Sequence, residues 1–416
     1  MTHLSGNGGG TPGPSVLLIE GSDFETFPAG GQLTMARSLM KLYGDRLALV
    51  GMNRCGEPSG RWMAKEVDGQ IFRFFPVCAR TSATSRPLVP ARVSFYSGLA
   101  RYRKDILSSG SSAAFIQSPE ALLTAQRWGL DSICYWFAGV ENILKRSRYP
   151  FVRPLWRWFD RKMFKALEHA DLILAAADDA SIDEMVSRSQ GLLPRTRVTQ
   201  MPTCVDMSEF RPTSQAVARK ALCLPETDAV FVTTGRIARL KGWDLLVDAF
   251  ELFLKDRHDA QLIFVGDGED RPLLEARLGS GELASKVTIT GLQPPEQVKR
   301  YLNAADAVLV ASHLEGWSVA MLEALACGKA LVSTPVSGAN EMIAPGANGF
   351  IVEDRDACKY ANAMKQTLAL PDAQHVSTSI ASRFDISRLR DTLSSLWPPL
   401  CQTCSGEVQA ASQILS

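Results

Sequence analysis

The chain has 416 residues, of which 46% are hydrophobic and 21% charged, with a formal net charge of +1. That length predicts two domains, and that mixture belongs to a globular protein. Near-neutrality gives no global field for nucleic acid, so no nucleic-acid partner is expected and charged partners must be read from local clusters.

The first segment, residues 1–14 (MTHLSGNGGGTPGP), lacks a basic flank and an apolar stretch. It is expected to be a disordered lead rather than a signal peptide. SVLLIE (15–20) has the continuous apolar pattern of a buried parallel strand. A loop containing Gly30 and Gly31 follows, and then Leu33, Ala36, Leu39 and Met40 recur at helical spacing across 32–43. LALVGM (47–52), AAFIQS (113–118), SICYWF (132–137) and ADLILAA (170–176) are further expected strands. The pattern restarts after residue 208. RPTSQAVARKALCLPETD (211–228) is polar, holds two prolines and is expected to be a linker. AVFVTTGRI (229–237), QLIFVGDG (261–268), KVTITG (286–291), AVLVAS (307–312), KALVST (329–334) and GFIVED (349–354) are strands, with an amphipathic helix over 244–255.

Strands alternating with helices in two runs predict an α/β fold with two Rossmann-like domains, residues 15–207 and 208–383, whose parallel doubly wound sheets face a central cleft. Residues 384–400 (FDISRLRDTLSSLWPPL) are expected to form a helix returning to the N-terminal domain, and 401–416 a flexible tail. The nine cysteines are scattered, which suits free thiols in a reducing compartment. Cys401 and Cys404 form a lone C-x-x-C without the second pair a metal site needs. No apolar run approaches the ~18 residues of a membrane span.

Two constellations carry chemistry. In SHLEGWSVAMLEALACGK (312–329), Glu315 lies in a loop, Gly316 turns the chain and Ser318 caps a helix that runs to about Cys327. The free amides opening that helix, with its dipole, form an anion site able to seat a diphosphate. Glu315 then lies to one side and Glu323 to the other, where carboxylates suit paired hydroxyls. A nucleotide sugar has that layout. In TGRIARLKGW (234–243), Arg236 and Lys241 leave a strand end before a helix start. A guanidinium fork and an ammonium there would neutralise charge growing on a leaving diphosphate.

These segments resemble the retaining glycosyltransferases of the GT-B fold, group 1 or family four. The resemblance rests on G-R-I-A-R-L-K-G, V-G-D-G, T-G-L-Q and E-G-W-S-V-A-M-L-E-A-L-A-C-G across 229–353, with CVDMSEFRP (204–212) similar to the family segment before the domain linker. It implies that Arg236 and Lys241 hold the donor diphosphate, that Glu315 meets the donor sugar and Glu323 the ribose, as the family's E-x7-E pair. It also implies that Gly316, Trp317, Ser318 and Val319 line sugar and phosphate through backbone groups, and that Gly291 and Leu292 meet the base. Gly266, Asp267 and Gly268 read as a supporting turn. The implied activity is retaining transfer of a hexose or related sugar from a nucleotide-sugar donor to a glycan, glycolipid or lipid-linked acceptor, with no cofactor and no metal. The alternatives are a nucleotide-sugar epimerase on the same fold and a non-catalytic nucleotide-sugar-binding subunit.

The N-terminal half departs from the family. Gly30–Gly31 resembles its glycine loop, but CYWFAGVEN (134–142) lacks the histidine many members carry, and His169 reads as structural. No general base is assigned. Residues 144–167 (LKRSRYPFVRPLWRWFDRKMFKAL) interleave eight Lys and Arg with six aromatics. Two readings stand open: docking on an anionic membrane surface, at about 1 kcal/mol per cation, or aromatics packed inward with cations in water. The expected location is cytoplasmic, with the inner face of the plasma membrane as the peripheral variant.

Overall fold

In a computed structural model, residues 15–25, 30–54, 56–79, 90–145 and 149–401 are described. The expected lead (1–14), the tail beyond Cys401 with Cys404, and Arg146 and Arg148 lie outside them.

The N-terminal sheet has eight strands: β1 (Val16–Ile19), β2 (Leu47–Asn53), β3 (Met63–Val67), β4 (Gln70–Ala79), β5 (Ala113–Ile116), β6 (Ser132–Phe137), β7 (Leu172–Ala175) and β8 (Val198–Gln200). Their order is β3-β4-β2-β1-β5-β6-β7-β8, parallel throughout except for the β3–β4 hairpin. The C-terminal sheet holds β9 (Ala229–Thr234), β10 (Ala260–Val265), β11 (Val287–Ile289), β12 (Ala307–Val310), β13 (Ala330–Ser333) and β14 (Gly349–Ile351). Its order is β11-β10-β9-β12-β13-β14, all parallel. Both are doubly wound sheets, and each reverses its winding once, between β1 and β5 and between β9 and β12. Those switch points are where the helices on the two sides diverge and leave a crevice at the strand ends.

The strands form where apolar runs are buried on both faces. Every residue of β1, β2, β5, β12 and β13 is buried. The hairpin β3–β4 was not among the expected strands. Its Val-Asp-Gly-Gln turn places Asp68 at φ 50° and Gly69 at φ 76°, the left-handed pair of a two-residue hairpin. The segment 211–228 also differs from the expected linker. Ser214 caps a helix, Gln215–Ala221, and the buried Arg219 donates to the Ala304 carbonyl and to Asp306 Oδ2 at 3.0 and 2.7 Å. A buried guanidinium with these partners holds the segment to the C-terminal domain instead of leaving it free.

The last described residues tie the two domains. Val205 and Ile386 exchange backbone bonds around Asp385: Val205 N–H donates to the Phe384 carbonyl and Ile386 N–H to the Val205 carbonyl, each at 3.0 Å. The helix Ile386–Leu396 then delivers Trp397 into the N-terminal domain. Its indole packs edge-on against Phe115 at 6.1 Å, and its Nε1 donates to Ser132 Oγ at 2.9 Å. Arg46 donates to the carbonyls of Pro399, Leu400 and Cys401 and holds the end of the chain.

Trp397 is only 1% exposed. Trp397→Ala removes a packed ring and leaves a cavity beside Phe115, so it should cost about 3–5 kcal/mol. Urea unfolding at constant slope should show the loss; an unchanged midpoint would mean the tail does not clamp the domains.

Candidate active site

The C-terminal switch point is built from two loops. After β9, Gly235 leads through Arg236 into a short turn, Arg239–Lys241, and the helix Trp243–Asp256 starts at Gly242. Gly242 has φ 70°, and a Cβ there would lie 1.9 Å from the Ala311 carbonyl oxygen, so only glycine lets this loop close on the end of β12. Leu240 accepts from His313 N–H at 2.8 Å, a second tie between the loops. Behind them the V-G-D-G turn acts as a support: Ile237 N–H donates to the Asp267 carbonyl at 2.9 Å, and Gly235 N–H to that of Val265 at 3.0 Å.

After β12, Ser312 and Glu315 come within reach of Lys241. Lys241 Nζ donates to Glu315 Oε1 at 2.5 Å, and Ser312 Oγ to the same oxygen at 2.6 Å. The side chain of Glu315 is 12% exposed, so this pair is partly withdrawn from water. Ser318 caps the helix Val319–Ala326, its Oγ accepting from Met321 N–H at 3.5 Å. Arg236, Lys241, Glu315 and Ser318 line one crevice, with Thr234 and Gly235 at its floor. Arg236 is half exposed and reaches Glu269 at 3.8 Å, a contact worth little in water. Its guanidinium is therefore available to an anion.

Glu323, on the same helix as Val319, lines an adjoining space of ≈490 Å³ between the domains, with Thr34 and Glu209. Burial drives its carboxyl from 4.5 up to about 8, and the charge of Glu209 adds to the effect. Gly30 and Gly31 open the helix Gly31–Tyr43 at the same cleft. A Cβ on Gly31 would lie 3.7 Å from Val319 Cγ2, across the domain boundary. Gly291, at φ 72°, sits near Arg271 and Asp267, and Leu292 is 78% exposed beside it. These two stand at the rim and line none of the three cavities described here.

Trp317 is expected to line the site through its backbone, and its side chain points away from the crevice. Its side chain is core: the ring is buried, packs on Phe384 at 5.6 Å and lies against Gly338. It anchors the loop from beneath. Gly316 is an interdomain contact, since a Cβ there would fall 2.3 Å from the Ala138 carbonyl oxygen. The backbone of CYWFAGVEN thus rests on the E-G-W-S loop, although this stretch has no histidine.

A third cavity, ≈300 Å³, opens between Gly316 and the switch point of the N-terminal sheet. Glu315 and Gly316 form one wall, and Gln117, Tyr135, Asn142 and Arg188 are on the other. Sequence reading missed this cluster. Glu20 follows β1 and Gln117 follows β5, and both are buried. Desolvation raises Glu20 to about 8, with Arg92 opposing and Glu120 adding to the rise. The only signal available was a polar residue directly after an apolar strand, at both sites.

The basic, aromatic stretch divides between its two readings. Met163 and Phe164 are core, and Asp160 pairs with Arg188 at 2.7 Å. Phe151 and Trp158 stand out at 73% and 60% exposure, and Lys145 lies 4.4 Å over the ring of Trp156. No helix of the described residues is long and apolar enough to cross a membrane.

Comparison with known proteins gives the same picture. Residues 214–382 match the family model described as glycosyl transferases group 1. The D-inositol 3-phosphate glycosyltransferase of Segniliparus rotundus is 31% identical over 180 residues, 42% of this chain and 40% of that protein. The alpha-D-kanosaminyltransferase of Streptomyces kanamyceticus is 27% identical over 253 residues, 59% of this chain and 64% of that protein. The chain thus spans less than two thirds of the length of either relative. Among solved structures, sucrose-phosphate synthase from Thermosynechococcus elongatus superposes with a TM-score of 0.75 at 18% identity, covering 94% of this chain and 99% of that one. Anabaena Alr3699/HepE, solved in complex with UDP and glucose, superposes with a TM-score of 0.68 at 17% identity, covering 92% of this chain and 100% of that one. Residues 214–382 are similar to the glycosyl transferases group 1, and the two facing α/β domains have the GT-B fold.

Proposed function

We propose that the protein is a retaining, metal-independent glycosyltransferase that moves a hexose or related sugar from a nucleoside diphosphate sugar to a glycan, glycolipid or lipid-linked acceptor. The observation that carries this reading is the single crevice at the β9–β12 switch point, shared by Arg236, Lys241, Glu315 and the capped helix start at Ser318. Arg236, Lys241 and the amides of that helix supply positive charge where a diphosphate leaves. Both hydrogen bonds to Glu315 fall on Oε1, and Oε2 is assigned to donor-sugar hydroxyls. Glu323 is assigned to the ribose and the rim at Gly291–Leu292 to the base. UDP in the Anabaena structure supports a nucleotide donor for this fold.

The acceptor enters from the cavity beside Gly316. Its hydroxyl oxygen forms the new bond to the anomeric carbon while the bond from that carbon to the diphosphate oxygen breaks. Both events occur on one face, so configuration is kept. The hydroxyl proton passes to the departing diphosphate, which leaves as nucleoside diphosphate. In this reading the diphosphate's charge is met by side chains and amides, and no step is assigned to a divalent ion. The exposed Phe151 and Trp158 beside Arg153, Arg157 and Arg161 are assigned to an anionic leaflet that delivers the acceptor.

Three tests follow from these assignments. Arg236→Ala should lower kcat about 10²–10³-fold, with melting unchanged within the effect of a surface substitution. The wild-type rate should survive a chelator; normal turnover of the variant, or loss of rate without divalent ions, contradicts the mechanism. The second test uses the raised acid. An unpaired Glu323 that is neutral near pH 7 adds stability below pH 4.5, and loses that contribution as pH rises through about 8. Ribose hydroxyls favour its charged form, so nucleotide binding at pH 7 should release a proton, read from calorimetry in two buffers. Glu323→Gln should abolish the release and weaken binding about ten-fold, or ~1.4 kcal/mol; an unchanged affinity removes Glu323 from the donor site. Third, the protein should float with phosphatidylglycerol vesicles at low salt, and Phe151→Ser with Trp158→Ser should abolish flotation. Failure of the wild-type to float ends the membrane assignment.

A further inference from the structure

Among buried polar groups, Gln117 is anomalous. It is 1% exposed, yet neither its Nε2 nor its Oε1 has a partner. An unpartnered buried amide costs stability, so a fold keeps one only where something else completes it. Its backbone is fully engaged: Gln117 N–H donates to the Ile19 carbonyl at 3.2 Å, and its carbonyl accepts from Gln32 Nε2 at 3.0 Å. The carboxamide is thus held at the β1–β5 switch point on the wall of the cavity that Glu315 and Gly316 close from the other domain. A carboxamide offers one donor group and one acceptor, which matches two neighbouring hydroxyls on a ring.

The charges of this cavity narrow the choice. Its two described cations already hold carboxylates. Arg92 Nη1 donates to Glu120 Oε1 at 2.9 Å, and Arg188 donates to Asp160 Oδ2 and to the Val140 carbonyl at 2.7 Å each. Glu141, Glu184 and Glu315 are further lining carboxylates. Against Arg92 and Arg188 stand Asp160, Glu141, Glu184 and Glu315, so a phosphate entering here would meet more carboxylates than cations among the described lining residues, and like charges in a partly desolvated space repel strongly.

We infer that this cavity takes the acceptor as a neutral polyhydroxylated ring, and that Gln117 is the residue that reads a pair of its hydroxyls. The inference rests on the transferase reading above. It also separates this chain from the relatives named for inositol 3-phosphate, whose acceptor carries a phosphate. Gln117 is a specificity residue and takes no part in the bond exchange.

The test uses the full chain with the nucleotide sugar it hydrolyses fastest in water, chosen from UDP-glucose, GDP-mannose and ADP-glucose. Transfer is then measured to myo-inositol and methyl α-glucoside, and to inositol 3-phosphate and glucose 6-phosphate. The neutral rings should have kcat/KM at least ten-fold above their phosphorylated counterparts. Gln117→Leu should raise the KM for the neutral ring ten-fold or more with a smaller change in kcat. It should also raise the melting temperature of the free protein, because the unpartnered amide is gone. Equal or better use of the phosphorylated rings overturns the inference, as does Gln117→Leu with an unchanged KM or a lowered melting temperature. If none of the donors is hydrolysed or transferred by the wild-type, the transferase reading itself fails, an outcome distinct from donor turnover without discrimination between acceptors.

Discussion

Two places where backbone meets backbone without room for a β-carbon set the geometry of everything else. Gly242 lies on the Ala311 carbonyl, and Gly316 on that of Ala138. The first contact draws the loop after β9 onto the end of β12, which is what brings Lys241 within 2.5 Å of Glu315. The second seats the N-terminal domain on the loop that carries Glu315. A side chain at either position would overlap the facing carbonyl oxygen and force the loops apart. The crevice at the β9–β12 switch point and the cavity beside Gly316 therefore share one wall, and their spacing is fixed by steric exclusion rather than by a flexible contact.

The larger architecture serves the same end. Each sheet reverses winding once, and the two reversals face each other. Doubly wound sheets leave space at those points because neighbouring helices run to opposite faces. One switch point offers cations and helix amides; the other offers buried polar side chains that lack partners. The returning tail keeps the two in register: the backbone pairing of Val205 with Ile386, and the indole of Trp397 against Phe115, bridge the domains away from the cleft. A clamp remote from the site can hold the domains together while leaving the cleft open to ligands.

Much of this was legible in the chain. The strands of both domains were readable because parallel sheets bury both faces and leave near-continuous apolar runs. That Arg236, Lys241, Glu315 and Ser318 meet in one crevice was readable because they follow strand ends and precede helix starts, which gather at a switch point. The hairpin β3–β4 was overlooked, although Asp68–Gly69 is a strong local turn signal. The helix after Ser214 was masked by its polar surface and flanking prolines; its stability comes from the buried Arg219, and no periodicity shows which cation will find a carboxylate. Trp317 lies in the loop before the helix at Val319, and only the fold shows that its ring turns into the core. Glu20 and Gln117 were illegible for a different reason: each is an ordinary polar residue after a strand, and they become a cluster only because β1 and β5 are neighbours in the sheet.

The resting state of the site also shows how donor and acceptor can be coupled. In the free protein Lys241 is held by Glu315, so the cation proposed for a diphosphate is partly neutralised by the carboxylate proposed for a sugar. In the proposed reading a nucleotide sugar would relieve both groups at once, giving phosphate oxygens to the lysine and hydroxyls to the glutamate. A ligand with only one of these parts would leave the other charge half-buried and less well paired, which is costly. Glu323 extends the same logic, since its carboxyl is held up near 8 until hydroxyls arrive to favour its charged form. On the proposed assignments, Glu315 and Glu323 would each gain most from the complete nucleotide sugar. Under that reading, selectivity for the intact donor over free phosphate or free sugar would follow from what these groups lose when they are left alone.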